Sequence, residues 1–308
     1  MAATTATTTT GGVRLSTLPP ATGRAGLRGV LASEFTKLRS VRSTYWTIAA
    51  LFIVSVGIAA IAGAAITSNL HNNPANKAGM DATQASLIGF FEFGQLIIAV
   101  LGALAITSEY STGMIRTSLT AMPRRSVVYT GKLIVFTTVA LIISLVTSFI
   151  AFFVGQALMS GSGVAASLFH TTTIPANAMV NPQGVTFQGT DVISAGTVLT
   201  AVVGTALFVT VVALIAFGLG AIIRHTAGAI TSAIGLMFVV PIIVQILPSN
   251  WRWEIMRFFP DAAGRVLSVT VGQTNQHLWS PWPQFLVTVI FAVVLVGIGG
   301  YLFSKRDA

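Results

Sequence analysis

Six apolar stretches, each long enough to cross a bilayer as a helix, leave this chain few ways to fold. They run over about 46–68, 86–107, 133–159, 195–223, 227–247 and 284–303, and about 20 apolar residues suffice for a helical span. Inside hydrocarbon the backbone must satisfy its own N–H and C=O groups, so continuous apolar runs imply helices, whereas a barrel would alternate polar and apolar residues. Charged residues make up only 8% of the chain, and the mean hydropathy is +0.82, which leaves no composition for a large soluble domain. The expected fold is an all-α polytopic membrane protein. A single transmembrane domain over 27–308 follows a tail, 1–26, that is rich in Ala, Thr, Gly and Pro and lacks the apolar core of a signal peptide. Cysteine is absent, which excludes disulfides and thiolate chemistry.

The cations are unevenly placed. Arg14, Arg24, Arg28, Lys37, Arg39 and Arg42 precede the first span, Arg116, Arg124, Arg125 and Lys132 lie around the connection between the second and third, Arg224 follows the fourth, and Lys305 and Arg306 follow the sixth. The other connections hold only Lys77, Arg252, Arg257 and Arg265. The positive-inside rule then predicts a multi-pass protein of the cytoplasmic membrane with both termini cytosolic. Cations at that surface have membrane lipid headgroups as their natural partners, so the net charge of +9 calls for no nucleic acid.

Two segments at the basic end have helical faces. From Leu27 to Thr44, a 100° step gathers Leu27, Val30, Leu31, Phe35, Leu38 and Val41 on one side, with Lys37 and Arg39 opposite, as in a helix lying in the interface; Glu34 and Arg42 interrupt the edges. Between the second and third spans, Glu109, Thr112, Gly113, Arg116, Thr117 and Thr120 form a polar arc against Tyr110, Met114, Ile115, Leu119, Ala121 and Met122. Pro123 is expected to end that helix. Glu109 and Arg116 are too far apart to pair along it, which leaves their charges for another partner.

Glu92 is the one charge well inside an apolar stretch, about 9 Å from the far end of the second span. An ionisable residue at such depth faces a cavity or a partner. With Gln95, Gln156 and Gln245 it could line a polar pocket suited to an amphipathic or cationic substrate, or it could lock helices together through Gln95. Small residues Gly228, Thr231, Ser232 and Gly235 allow close packing on the fifth span, within the subunit or across a dimer. The connection 248–283 carries Trp251, Trp253, Phe258, Phe259, Trp279 and Trp282, an aromatic belt at the lipid boundary. Pro260 divides it into two short helices, about 250–259 and 261–271, and Asp261 and Arg265 stand at the i,i+4 spacing of a supporting pair.

The order Ser33-Glu-Phe-Thr-Lys-Leu-Arg-Ser before the first span, Glu109-Tyr-Ser-Thr-Gly-Met-Ile-Arg after the second, then Pro123-Arg-Arg-Ser and Gly131-Lys132, resembles the permease subunit of type-2 ATP-binding cassette exporters. The resemblance implies six transmembrane helices with an N-terminal interfacial elbow helix, a cytosolic coupling helix, and short re-entrant outer helices between spans five and six that gate the exit. It implies that Glu109, Tyr110, Gly113 and Arg116 form the docking surface for an ATPase subunit, with Pro123, Arg124 and Lys132 returning the chain to the third span. It further implies a second copy of the permease, with spans two and five bordering the route at the interface so that Glu92 and Gln245 come near one another. Trp251, Trp253, Phe258 and Phe259 then belong to the outer gate or interface.

The chain has no G-x-x-x-x-G-K-[ST] phosphate loop, so ATP and magnesium are expected on the partner ATPase and no cofactor on this chain. The histidines at 71, 170, 225 and 277 match no zinc-ligand spacing, and Ser160 replaces the first glycine of a nucleophile elbow at Gly161-Ser162-Gly163. No catalytic or metal site is expected. An ion-coupled carrier using Glu92, or a non-transporting scaffold subunit, is the alternative; a carrier would ordinarily hold more intramembrane charges and repeated halves.

Overall fold

The computed structural model describes residues 26–72, 81–121, 124–173, 192–270 and 278–305. Six helices are long and apolar enough to cross a membrane: Arg42–Asn72, Ala82–Ser111, Arg125–Met159, Ala195–Ile223, Thr226–Gln245 and Pro281–Lys305. All six expected spans are present, and most are longer than their apolar runs. A helix continues through its polar end turns, where hydropathy gives no signal, so the third span begins at Arg125 and contains Lys132. Around the spans lie an N-terminal helix, Leu27–Ser40, a connecting helix, Met114–Ala121, and two short helices, Ser249–Met256 and Asp261–Leu267. The only strand pairing among the described residues joins Thr172–Thr173 to Val192–Ile193.

The fourth span is the centre of the bundle. It packs against the second, third and sixth, and 67% of its apolar window is buried, against 17% for the sixth span and 22% for the first, whose sides face outward. Phe208, Val209, Val212, Ala213, Ala216 and Phe217 supply its core face. Close approach depends on small residues: a Cβ on Gly102 of the second span would collide with the Ala213 carbonyl oxygen. Without a strong hydrophobic drive between helices in lipid, such backbone proximity is a main source of attraction.

Two spans depart from α geometry. The second is a π-helix over Gly89–Gly94, and the fifth over Gly235–Val239. In the fifth, Pro241 has no N–H and its ring crowds the carbonyl one turn back, so the ladder widens there. In the second, Gly89 and Gly94 lie against Ser55 of the first span, and the widened turn carries Glu92.

Two sequence expectations change at the basic end. The amphipathic segment from Leu27 stops at Ser40 because Val41 is extended (φ −83°, ψ 117°), so Arg42 to Thr44 already belong to the first span. Its buried side centres on Val30 and Glu34, while Leu27 and Phe35 are exposed. The connection from Thr107 is likewise not one helix. Glu109 and Tyr110 finish the second span, and Gly113, at φ +70°, breaks the chain before Met114. A left-handed residue cannot continue a right-handed helix, and glycine takes that conformation without a Cβ penalty.

Candidate functional site

At the end that carries both terminal helices, a compact ion cluster joins four separate elements. Lys132, from the first turns of the third span, donates to Glu34 Oε2 of the N-terminal helix at 2.5 Å and to Glu109 Oε1 at the end of the second span at 2.8 Å. Lys37 donates to Glu34 Oε1 at 2.7 Å, to Glu109 Oε1 at 3.0 Å and to Ser118 Oγ of the connecting helix at 3.1 Å. Glu34, Glu109 and Lys132 are buried and Lys37 is half-buried. Two acids and two bases balance, which is how ionised groups are retained out of water.

Burial lowers the Lys37 ammonium pKa, but the hydrogen bonds it donates to Glu34 and Glu109 and their negative charges outweigh it, so the group titrates above the ordinary 10.5. A Cβ on Gly131 would meet Val30 Cγ1 at 2.5 Å, so glycine is what lets the N-terminal helix approach the third span closely enough for Lys132 to reach Glu34.

Glu109 is therefore not the free charge that the helical wheel suggested. It is buried and shared between two lysines, because Gly113 ends the helix and leaves Glu109 on the second span facing the third. Tyr110 is half-buried, with the Arg224 guanidinium 5.1 Å from its ring centroid. Arg224 itself is left-handed (φ 58°) at the end of the fourth span and donates to the Leu302 carbonyl at 3.2 Å, so Tyr110 sits within a structural junction. Gly113 is exposed, and Arg124 is exposed at the N-cap of the third span. The Arg116 side chain and Pro123 lie outside the described residues. The exposed positions of the connecting segment are Ser111, Thr112, Gly113, Met114, Thr117 and Thr120.

Beside the cluster lies a cavity of about 190 Å³ between the N-terminal helix and the adjoining ends of the first three spans. Its wall is mostly apolar, and the ion cluster closes one side.

At the opposite end a second polar group forms around Glu92. Arg265 reaches Glu92 Oε1 at 3.4 Å and Asp261 Oδ2 at 3.1 Å, and Gln95 Nε2 stands 3.5 Å from Asp261 Oδ1. The expected Asp261–Arg265 pair is thus present, and Glu92 bonds to the second short helix rather than to Gln95. Glu92 lies about 15 Å along the helix from Ala82, deeper than the apolar run alone indicated. Asp81 fixes the same junction: it caps the second span through Gln84 N and accepts from Thr270 N at 2.6 Å.

The other glutamines do not join this group. Gln156 is buried, donates to the Ala82 carbonyl and Ser86 Oγ, and accepts from Ala166 N, which satisfies its amide on both sides. It ties the third span to the start of the second. Gln245 is exposed at the end of the fifth span. Trp251 and Phe258 are exposed, Trp253 and Phe259 half-buried. Phe258 meets Trp279 edge-on at 5.2 Å, and Gln284 and Thr288 of the sixth span bond to Arg257 and Pro260 carbonyls, holding the short helices down.

The sequence places Glu34 and Lys37 on the N-terminal helix and Lys132 at the third span without showing that they meet, and it does not single out Ser118. A signal existed: Glu34 and Glu109 are two rare acids beside the basic ends of spans, where an acid next to lipid needs a cation. Among the described residues no group of acids and histidines is arranged to hold a metal.

No curated protein matches the chain. Residues 30–181, from the N-terminal helix to beyond the third span, match the family model described as "ABC-2 family transporter protein". The match covers three of the elements joined by the ion cluster and the connecting helix. That match covers just under half of the chain, and with the six apolar helices it supports an ABC-2 type permease, a multi-pass membrane protein.

Proposed function

We propose that the chain is the permease subunit of an ATP-driven exporter in the cytoplasmic membrane, with both termini cytosolic, working as two copies with separate ATPase subunits that hold ATP and magnesium. The match to the ABC-2 family model supports a partner ATPase in general, and the cation excess at the terminal end supports the orientation. One observation carries the coupling role: the ion cluster binds the N-terminal helix, the second span, the third span and Ser118 of the connecting helix at one point. A load on Met114–Ala121 therefore reaches two spans and the N-terminal helix together, with Gly113 as the pivot. Glu109 acts by anchoring; the docking surface is the exposed set from Ser111 to Thr120.

The second and third spans carry the displacement to the far end, where Glu92 pairs with Arg265 on a short helix outside the spans. Breaking and remaking that pair would open and close a route for an amphipathic small molecule, drug, peptide or lipid. The aromatic short helices then form the outer gate.

Because the chain lacks cysteine, a single introduced one is unambiguous. Thr117→Cys is expected to cross-link to the ATPase subunit in native membranes, and Ser249→Cys at the opposite end is not. Cross-linking at Ser249→Cys with none at Thr117→Cys would overturn the docking assignment.

A further inference from the structure

The cavity beside the ion cluster is lined by the N-terminal helix and the adjoining ends of the first three spans. Leu38, Val41, Leu101, Leu104, Ala105 and Phe136 supply its apolar wall. Leu101 and Phe136 are buried, whereas Val41, Ser43, Thr112 and Met114 are exposed, so the cavity opens where the N-terminal helix turns into the first span. At about 190 Å³ it exceeds the roughly 150 Å³ of an apolar cavity that accommodates benzene, so it has room for part of one hydrocarbon chain.

Three neighbours of the opening indicate what fills it. Tyr45 and Trp46, next to Thr44, are 54% and 76% exposed on the first turn of the first span, and aromatic rings so placed mark headgroup depth. Arg42, between the mouth residues Val41 and Ser43, and Arg39, two residues before Val41, are both exposed. Lys37 and Lys132 are neutralised by Glu34 and Glu109, so the uncommitted positive charge stands at the mouth and not in the interior. An apolar pit at headgroup depth with cations at its rim matches a lipid with a negative headgroup and a hydrocarbon tail.

We infer that this cavity binds an anionic phospholipid of the surrounding leaflet, with one acyl chain against Leu101, Ala105 and Phe136 and its phosphate group held by Arg39 and Arg42. The site lies within one subunit and rests on geometry that needs no ATPase, so its test is separate from that of the transport reading. A bound chain packs against Met114, the first residue of the connecting helix, and braces that helix from the membrane side.

The test uses the full chain carrying Ala105→Cys, purified in mild detergent and treated with N-ethylmaleimide; Leu104→Cys serves if that variant does not fold. Alkylation is expected in detergent alone, and dioleoyl phosphatidylglycerol should slow it about tenfold at roughly ten times its Kd, as mass action requires. Phosphatidylcholine should protect much less. Arg39→Gln with Arg42→Gln should remove the difference between the two lipids, and a cysteine at Ile290, on an exposed side of the sixth span, should show no lipid preference. Equal protection by both lipids, or none by either, would overturn the inference, as would a cysteine that never reacts.

Discussion

Lys132 concentrates the consequences of a single side chain. Its ammonium is buried between Glu34 and Glu109, so Lys132→Met leaves two buried carboxylates sharing only the half-buried Lys37. Removing one member of a buried ion set costs about 3–5 kcal/mol, and replacing partners together costs less. Lys132→Met should therefore lower the thermal unfolding midpoint in detergent clearly, and adding Glu34→Gln should recover part of the loss. An unchanged midpoint in Lys132→Met would mean that the cluster contributes no stability.

Lys37 sets the pH behaviour. Its pKa is raised in the fold, so its contribution is fully present below the ordinary lysine value of 10.5 and is lost as pH rises through the higher folded value. Hydrogen exchange over residues 27–40 should therefore hold the same protection free energy across neutral pH and weaken only in strong alkali. Weakening at neutral pH would place the lysine on the wrong side of that shift. At the far end, Arg265→Met should destabilise more than Glu92→Gln: it strands Asp261, which is buried, whereas Glu92→Gln leaves the Asp261–Arg265 pair intact. Paired unfolding curves of the two variants decide the order.

At the scale of elements, Gly113 separates the second span from the connecting helix. At φ +70° a Cβ costs about 1–2 kcal/mol, so Gly113→Ala should loosen this junction and lower hydrogen-exchange protection over 107–121. Full protection in the variant would show that the break does not depend on glycine.

The same residue marks where the sequence became opaque. The spans were legible because crossing hydrocarbon is a property of one continuous segment. The break at Gly113 was not, since glycine tolerates both helical and left-handed backbone and a wheel assumes the first. The Asp261–Arg265 pair was legible as an i,i+4 spacing. The Lys132–Glu34 pair, 98 residues apart in sequence, was not, because only packing brings those helices together. Gln156 shows the converse: a glutamine in an apolar run suggests a pocket, yet three partners from the second span and the following loop satisfy it.

For the whole molecule, the fourth span forms the buried centre, while the ion cluster joins the N-terminal helix to the connected ends of the second and third spans. The Glu92–Arg265 pair lies about a third of the way along the second span from the opposite end, so the two polar sites share one helix. That arrangement suits a permease driven from one face and opened at the other. The central claim is that an ATPase drives it, and purification of the tagged full chain from its native membrane in mild detergent tests this most directly. The account predicts that an ATPase subunit is recovered in stoichiometric amount, with ATP hydrolysis in the preparation. A chain that always purifies alone and shows no hydrolysis would contradict it.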